Sequence, residues 1–193
     1  MAEALLLAHS ELILGGQKSG KSVRAERLAA AWLAQHPGHR AVLVATAEAW
    51  DDEMGERIAR HQRERAQRVP GLRTVEEADD LAGVIAHESR ADTLLVVDCL
   101  TLWLTRLTMP MQGPACSDAD LQCRVQALVD AVAHAAGPVV LVTNEIGLGV
   151  IPMGREVRAF VDALGRLNQR VAAACDRVTL MAAGLPLTLK GAG

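Results

Sequence analysis

The stretch Leu12-Ile13-Leu14-Gly15-Gly16-Gln17-Lys18-Ser19-Gly20-Lys21-Ser22 decides how the rest of the chain is read. Its first three residues are a short apolar run of the kind that forms a buried strand. From Gly15 to Ser22 the spacing is G-x-x-x-x-G-K-S, the Walker A phosphate loop. The glycines let the backbone turn tightly and aim its N–H groups at phosphate oxygens. Lys21 supplies a cation for the β- and γ-phosphates, and the Ser22 hydroxyl a ligand for Mg²⁺. A helix has to follow, so that its positive end faces the same phosphates. Residues 23–35 meet that need. They contain no Gly or Pro, are rich in Ala and Leu, and stop at His36-Pro37-Gly38. The loop in this setting predicts nucleotide binding.

Downstream, apolar runs alternate with helical segments. Strands are predicted over 40–46, 73–75, 93–98, 139–143 and 177–182, with an edge strand over 185–189. Helices are predicted over 51–65, 79–88, 100–108, 117–136 and 155–174, with Ser117 as an N-cap. Strand–helix alternation means β-α-β units. The fold class is α/β, a P-loop NTPase-like three-layer sandwich with a mostly parallel central sheet. In such sheets ligands sit at the carboxyl ends of the strands. Gly15 to Ser22, Ala45 to Ala47, Asp98 to Thr101 and the loop from Asn144 to Gly149 should therefore converge on one site.

Bulk properties narrow the function. At 193 residues one domain over 1–193 is expected. Half the residues are hydrophobic, yet there are one Phe, three Trp and no Tyr, so the core must be mostly Leu, Val, Ala and Ile. Few aromatics and a net charge of −3 argue against nucleic acid as a partner. The four cysteines form no C-x-x-C pair, and read as reduced thiols in a cytoplasmic protein. The apolar run over 4–8 is too short for a signal-peptide core, so residues 1–10 read as a frayed extension. No run approaches the ~18 apolar residues of a membrane span.

Several residues have the chemistry for such a site. Asp98 ends the apolar strand as a Walker B acid does, and would hold Mg²⁺ directly or through water. Thr101 is either a helix-start hydroxyl or a phosphate contact. Asn144-Glu145 follows a core strand and either positions an attacking hydroxyl or metal or shapes a turn. Arg166 and Arg170 share a helix face and suit a subunit contact. Glu53, Arg57 and His61 also share a face of a helix charged nearly all round. A histidine near a nucleotide can attack phosphorus, although spacing alone favours a solvated His61. The remaining histidines read as solvent-facing. On this footing three readings stand: a two-step nucleotide-using enzyme, a P-loop kinase for another small hydroxyl compound, and a non-enzymatic nucleotide-dependent switch.

Taken together, the motifs resemble the bifunctional adenosylcobinamide kinase / adenosylcobinamide-phosphate guanylyltransferase family of cobalamin biosynthesis. The likeness runs from the Walker loop through Ala45-Thr46-Ala47, Asp51-Asp52-Glu53-Met54 with Arg57-Ile58 and His61, and Arg73-Thr74-Val75-Glu76. It continues in Asp98-Cys99-Leu100-Thr101, Thr143-Asn144-Glu145-Ile146-Gly147, Gly165-Arg166-Leu167-Asn168-Gln169-Arg170 and Gly184-Leu185-Pro186-Leu187. The resemblance implies two reactions. A phosphoryl group passes from ATP or GTP to adenosylcobinamide, and GMP passes from GTP, through a guanylylated histidine, to adenosylcobinamide phosphate. The family's histidine matches His61, against the spacing argument. The same match puts Gly15, Gly16, Gln17, Lys18, Ser19, Gly20, Lys21, Ser22, Ala45, Thr46, Ala47, Gln62, Arg63, Glu64, Arg65, Glu76 and Asp98 around the nucleotide, and implies a trimer. Two departures stand out: Gln17-Lys18 where the family often has Ala-Arg, and a few extra residues within 66–72.

Overall fold

The structure, a computed structural model, describes residues 7–47 and 52–191; the side chains of Asp52, Glu53, Met54, Arg57, Ile58 and His61 lie outside that description, as do residues 1–6 of the expected extension and Asp51. The chain runs β1 (Ser10–Gly15), α1 (Lys21–Gln35), β2 (Arg40–Ala45), α2 (Asp52–Arg68), β3 (Leu72–Glu76), α3 (Leu81–Glu88) and β4 (Thr93–Asp98). It continues with α4 (Leu100–Thr108), α5 (Asp118–Ala133), β5 (Val139–Val142), α6 (Arg155–Ala174), β6 (Arg177–Ala182) and β7 (Leu185–Lys190). The seven strands form one sheet in the order β3-β2-β4-β5-β1-β6-β7. All pairings are parallel except β6 with β7. The α/β architecture with its mostly parallel sheet is thus as the sequence predicts.

Alternation along the strands builds two cores. Leu12, Val44, Val97 and Leu141 point to the side covered by α3, α4, α5 and α6. Ile13, Leu43, Val96 and Val140 point to the other, with Ala25, Leu28 and Ala29 of α1 and Val69 just beyond α2. Both faces are covered, which is why the central strands carry almost no polar residues.

Two boundaries shift from the expectation. Ser10, placed by sequence in the N-terminal extension, is the buried first residue of β1. Its hydroxyl donates to Asp176 Oδ2 at 3.1 Å, and Asp176 N–H donates back at 2.9 Å. Helix α2 runs on to Arg68, so it takes in part of the extra stretch over 66–72 before the turn at Gly71. His39 also departs from a simple surface role. Its ring stacks on Trp32 with centroids 3.7 Å apart, and it is half-buried.

Candidate active site

The phosphate loop is built between β1 and α1 and rests on the β6–β7 hairpin. Gly15 is irreplaceable on steric grounds: a Cβ there would lie 2.5 Å from the Met181 carbonyl and 2.6 Å from the Ser19 hydroxyl. The hairpin turns through Ala183 and Gly184, both at positive φ, the pattern of a primed two-residue turn. Gly184 N–H donates to the Ser19 carbonyl at 3.0 Å and so ties hairpin to loop. Gly16, Gln17 and Lys18 are exposed at the tip, and Ser19 is buried.

Lys21 is buried, and its ammonium donates to the Gly15 and Gly16 carbonyls at 2.9 and 2.6 Å. Burial lowers its pKa from the usual lysine value, against the raising pull of Cys99 and Asp98. The exposed Ser22 hydroxyl lies 3.4 Å from Asp98 Oδ2. Burial pushes the Asp98 carboxyl above its ordinary range, although Arg65, Ser22 and Lys21 pull it down.

The ends of the neighbouring strands close on this loop as expected. The Glu145 N–H donates to the Gly15 carbonyl at 3.1 Å. The Thr46 N–H donates to the Asp98 carbonyl at 3.1 Å. The Thr46 side chain, 2% exposed, turns inward to Cys99, so its hydroxyl shapes the site from behind. Ala45 ends β2, its carbonyl taking Glu77 N–H, and Ala47 follows half-buried. Thr101 proves to be an internal strut: its hydroxyl accepts the Asn144 N–H at 2.8 Å and lies 3.4 Å from the Thr143 hydroxyl. Thr143 donates in turn to Asn168 Oδ1 (2.9 Å), and Asn168 Nδ2 to the Asn144 carbonyl (3.1 Å). Asn168, in the middle of the G-R-L-N-Q-R block, thus braces the loop that leaves β5.

Helix α2 closes the other flank. Arg65 Nη2 lies 3.6 Å from Asp98 Oδ2, and its Nε 3.5 Å from Glu26 Oε1. Gln62 Nε2 donates to Glu76 Oε1 at 3.3 Å, which brings those two candidates together. Arg63 is exposed, and Glu64 pairs with Arg68 at 3.6 Å, away from the loop. Position 61 is one helical turn before Arg65 in α2; the His61 side chain is among those outside the description. Glu26 and Arg68 were not singled out by sequence. Both look like ordinary surface charges there, and only the packing of α2 on α1 shows their link.

A Walker loop facing a strand-end acid, with an arginine-bearing helix folded against both, is a nucleotide-site arrangement. A family model described as cobinamide kinase / cobinamide phosphate guanyltransferase matches residues 11–189. The chain belongs to that family. It is 46% identical over 182 residues to the bifunctional adenosylcobalamin biosynthesis protein CobP of Pseudomonas aeruginosa, covering 94% of this chain and 97% of that protein. It is 34% identical to the bifunctional adenosylcobalamin biosynthesis protein CobU of Salmonella typhimurium, covering 93% and 98%. The corresponding Escherichia coli CobU is 32% identical over the same shares. In fold it is similar to the flagellar accessory protein FlaH of Methanocaldococcus jannaschii, with a TM-score of 0.54 at 14% identity, over 96% of this chain and 80% of that one. Membership makes the chain an enzyme with a kinase and a guanyltransferase activity. No helix among the described residues is long and apolar enough to cross a membrane.

Proposed function

We propose that this enzyme phosphorylates adenosylcobinamide with ATP or GTP and then transfers GMP from GTP, through a guanylylated His61, to adenosylcobinamide phosphate. The observation that carries the reading is the meeting of Lys21, Ser22, Asp98 and Arg65 within one charged cluster, with position 61 a turn away on α2.

In the kinase step the γ-phosphoryl group passes to the aminopropanol hydroxyl of the corrinoid. Lys21 and the loop N–H groups hold the β- and γ-phosphates and take up charge as the bond to the γ-phosphorus breaks. In the second step an imidazole nitrogen of His61 attacks the α-phosphorus of GTP and pyrophosphate leaves. The corrinoid phosphate then attacks the His61-bound phosphorus and carries GMP away as adenosylcobinamide-GDP. A covalent intermediate divides one difficult displacement into two easier ones. Lys21, which steadies a transferring γ-phosphoryl group, equally steadies departing pyrophosphate, so one loop serves both reactions.

The Ser22 hydroxyl and Asp98 carboxylate are hard oxygens 3.4 Å apart. Neighbouring ligands of octahedral Mg²⁺ lie about 3 Å apart, so the pair fits that ion. Bound there, Mg²⁺ would neutralise phosphate charge. The reading also holds that the enzyme is a cytoplasmic homotrimer. Its support is the apolar surface on the loop before α6 and on β7, where Val150 and Met153 are each 96% exposed.

The test is His61→Ala with corrinoid products separated by chromatography. Adenosylcobinamide phosphate should still form and adenosylcobinamide-GDP should not. Continued guanylyl transfer by the variant overturns the assignment.

A further inference from the structure

We infer that Glu26 is the positioning residue that sets helix α2, and with it position 61, over the phosphate loop. The inference rests on the proposed guanylyl transfer through His61. Glu26 stands on α1 one turn beyond Ser22 and is 4% exposed. Buried carboxylates need partners, and Glu26 finds both of its own on α2. Arg68 Nε donates to Oε2 at 2.7 Å and Arg68 Nη2 to Oε1 at 3.0 Å, a two-pronged grip. Arg65 Nε lies 3.5 Å from Oε1 on the same carboxylate, while its Nη2 reaches Asp98.

Helix α2 has little else to hold it. Among its described side chains Arg65 is the only buried one, and the apolar anchor Val69 lies just past its end. Apolar packing tolerates sliding and rolling, whereas a paired carboxylate fixes direction. Positions 61, 65 and 68 are spaced by four and three, so they follow one row of the helix. The Glu26 clamp therefore fixes the row that carries both the arginine at Asp98 and the guanylyl-accepting position. Glu26 itself lies behind the loop and touches no group assigned to the phosphates except through Arg65.

Misplacing a reacting group by about 1 Å costs on the order of 100-fold in rate. Glu26→Gln, which keeps shape and removes charge, should slow single-turnover labelling of the protein by α-phosphate-labelled GTP by roughly tenfold to 100-fold. Phosphorylation of adenosylcobinamide at saturating nucleotide should fall by less than about threefold, because α1 and the loop remain in place. Amides of α2 should exchange with deuterium faster, and those of α1 should not. Glu26→Asp should recover part of the labelling rate, and Arg68→Gln should lose less than Glu26→Gln because Arg65 remains. Labelling at the wild-type rate in Glu26→Gln overturns the inference. So does an equal loss of both activities with α1 and α2 loosened together, the mark of a merely structural residue. Wild-type protein that takes up no label overturns the guanylyl reading itself, and the exchange arm then decides alone whether Glu26 holds α2.

Discussion

The Thr46 hydroxyl donates to the Cys99 carbonyl at 2.8 Å and accepts the Cys99 N–H at the same distance. One side chain at the end of β2 thus satisfies both main-chain groups of the residue that follows the Walker B acid. With Thr46 N–H on the Asp98 carbonyl, three bonds fix where Asp98 sits. Thr46→Val keeps the volume and strands two buried polar groups, which costs about 1–3 kcal/mol each. The variant should melt several degrees lower and lose both transfer activities, while Thr46→Ser keeps most of both. Thermal denaturation with the two product assays checks this. Wild-type stability in Thr46→Val would contradict it.

Asp98 illustrates a functional group held at a cost in stability. Its pKa is raised in the fold, mainly by burial. A carboxyl of raised pKa binds its proton more tightly folded than unfolded, so its contribution to stability is present at low pH and declines as pH rises through the ordinary carboxylate range and above. Asp98→Asn removes the charge that burial penalises. At neutral pH, without nucleotide, the variant should unfold at higher denaturant concentration than wild type, and the gap should close below about pH 4. It should lose both activities. Equal stability at pH 7 and a persisting gap at pH 3 would reverse the sign.

The sequence made most of this visible, and for identifiable reasons. The Walker loop is a strict local pattern, and α4, α6, β4 and β6 have the expected ends because apolar runs and breakers mark them. Ser117 caps α5 as its position suggests. What escaped notice depends on partners distant in sequence. Glu11, an acid inside an apolar strand, is buried because Arg24 and Thr179 take its Oε1 at 2.9 and 2.8 Å. Thr101, Thr143 and Asn168 read as isolated polar residues until the fold joins them. Glu26 and Arg68 are 42 positions apart.

The thiols should separate by environment. Burial pushes Cys99 up to about 11 and Cys175 up to about 12, whereas Cys123 is exposed. The thiolate is the reactive form, so at neutral pH Cys99 and Cys175 should resist alkylation. Iodoacetamide should modify Cys123 within minutes and reach Cys99 and Cys175 only on unfolding, as read by mass spectrometry of digests. Rapid modification of Cys99 in the folded protein would contradict its burial behind Thr46.

The exposed apolar surface makes the subunit claim testable. Leu148, Val150, Ile151 and Met153 are each between 79% and 96% exposed, and Leu185, Leu187 and Leu189 of β7 between 56% and 71%. A patch of this kind calls for a partner. Replacing Ile151 and Met153 by Glu should convert the trimer to monomer in sedimentation analysis. A wild-type protein that sediments as a monomer would count against the assembly.

The central claim is covalent catalysis through His61. The most direct measurement is to incubate the enzyme with Mg²⁺ and GTP labelled at the α-phosphate, denature it, and map any protein-bound label. The account predicts an acid-labile, base-stable adduct on His61, absent from His61→Ala. Bound nucleotide with no covalent label, or label on a different residue, would contradict it.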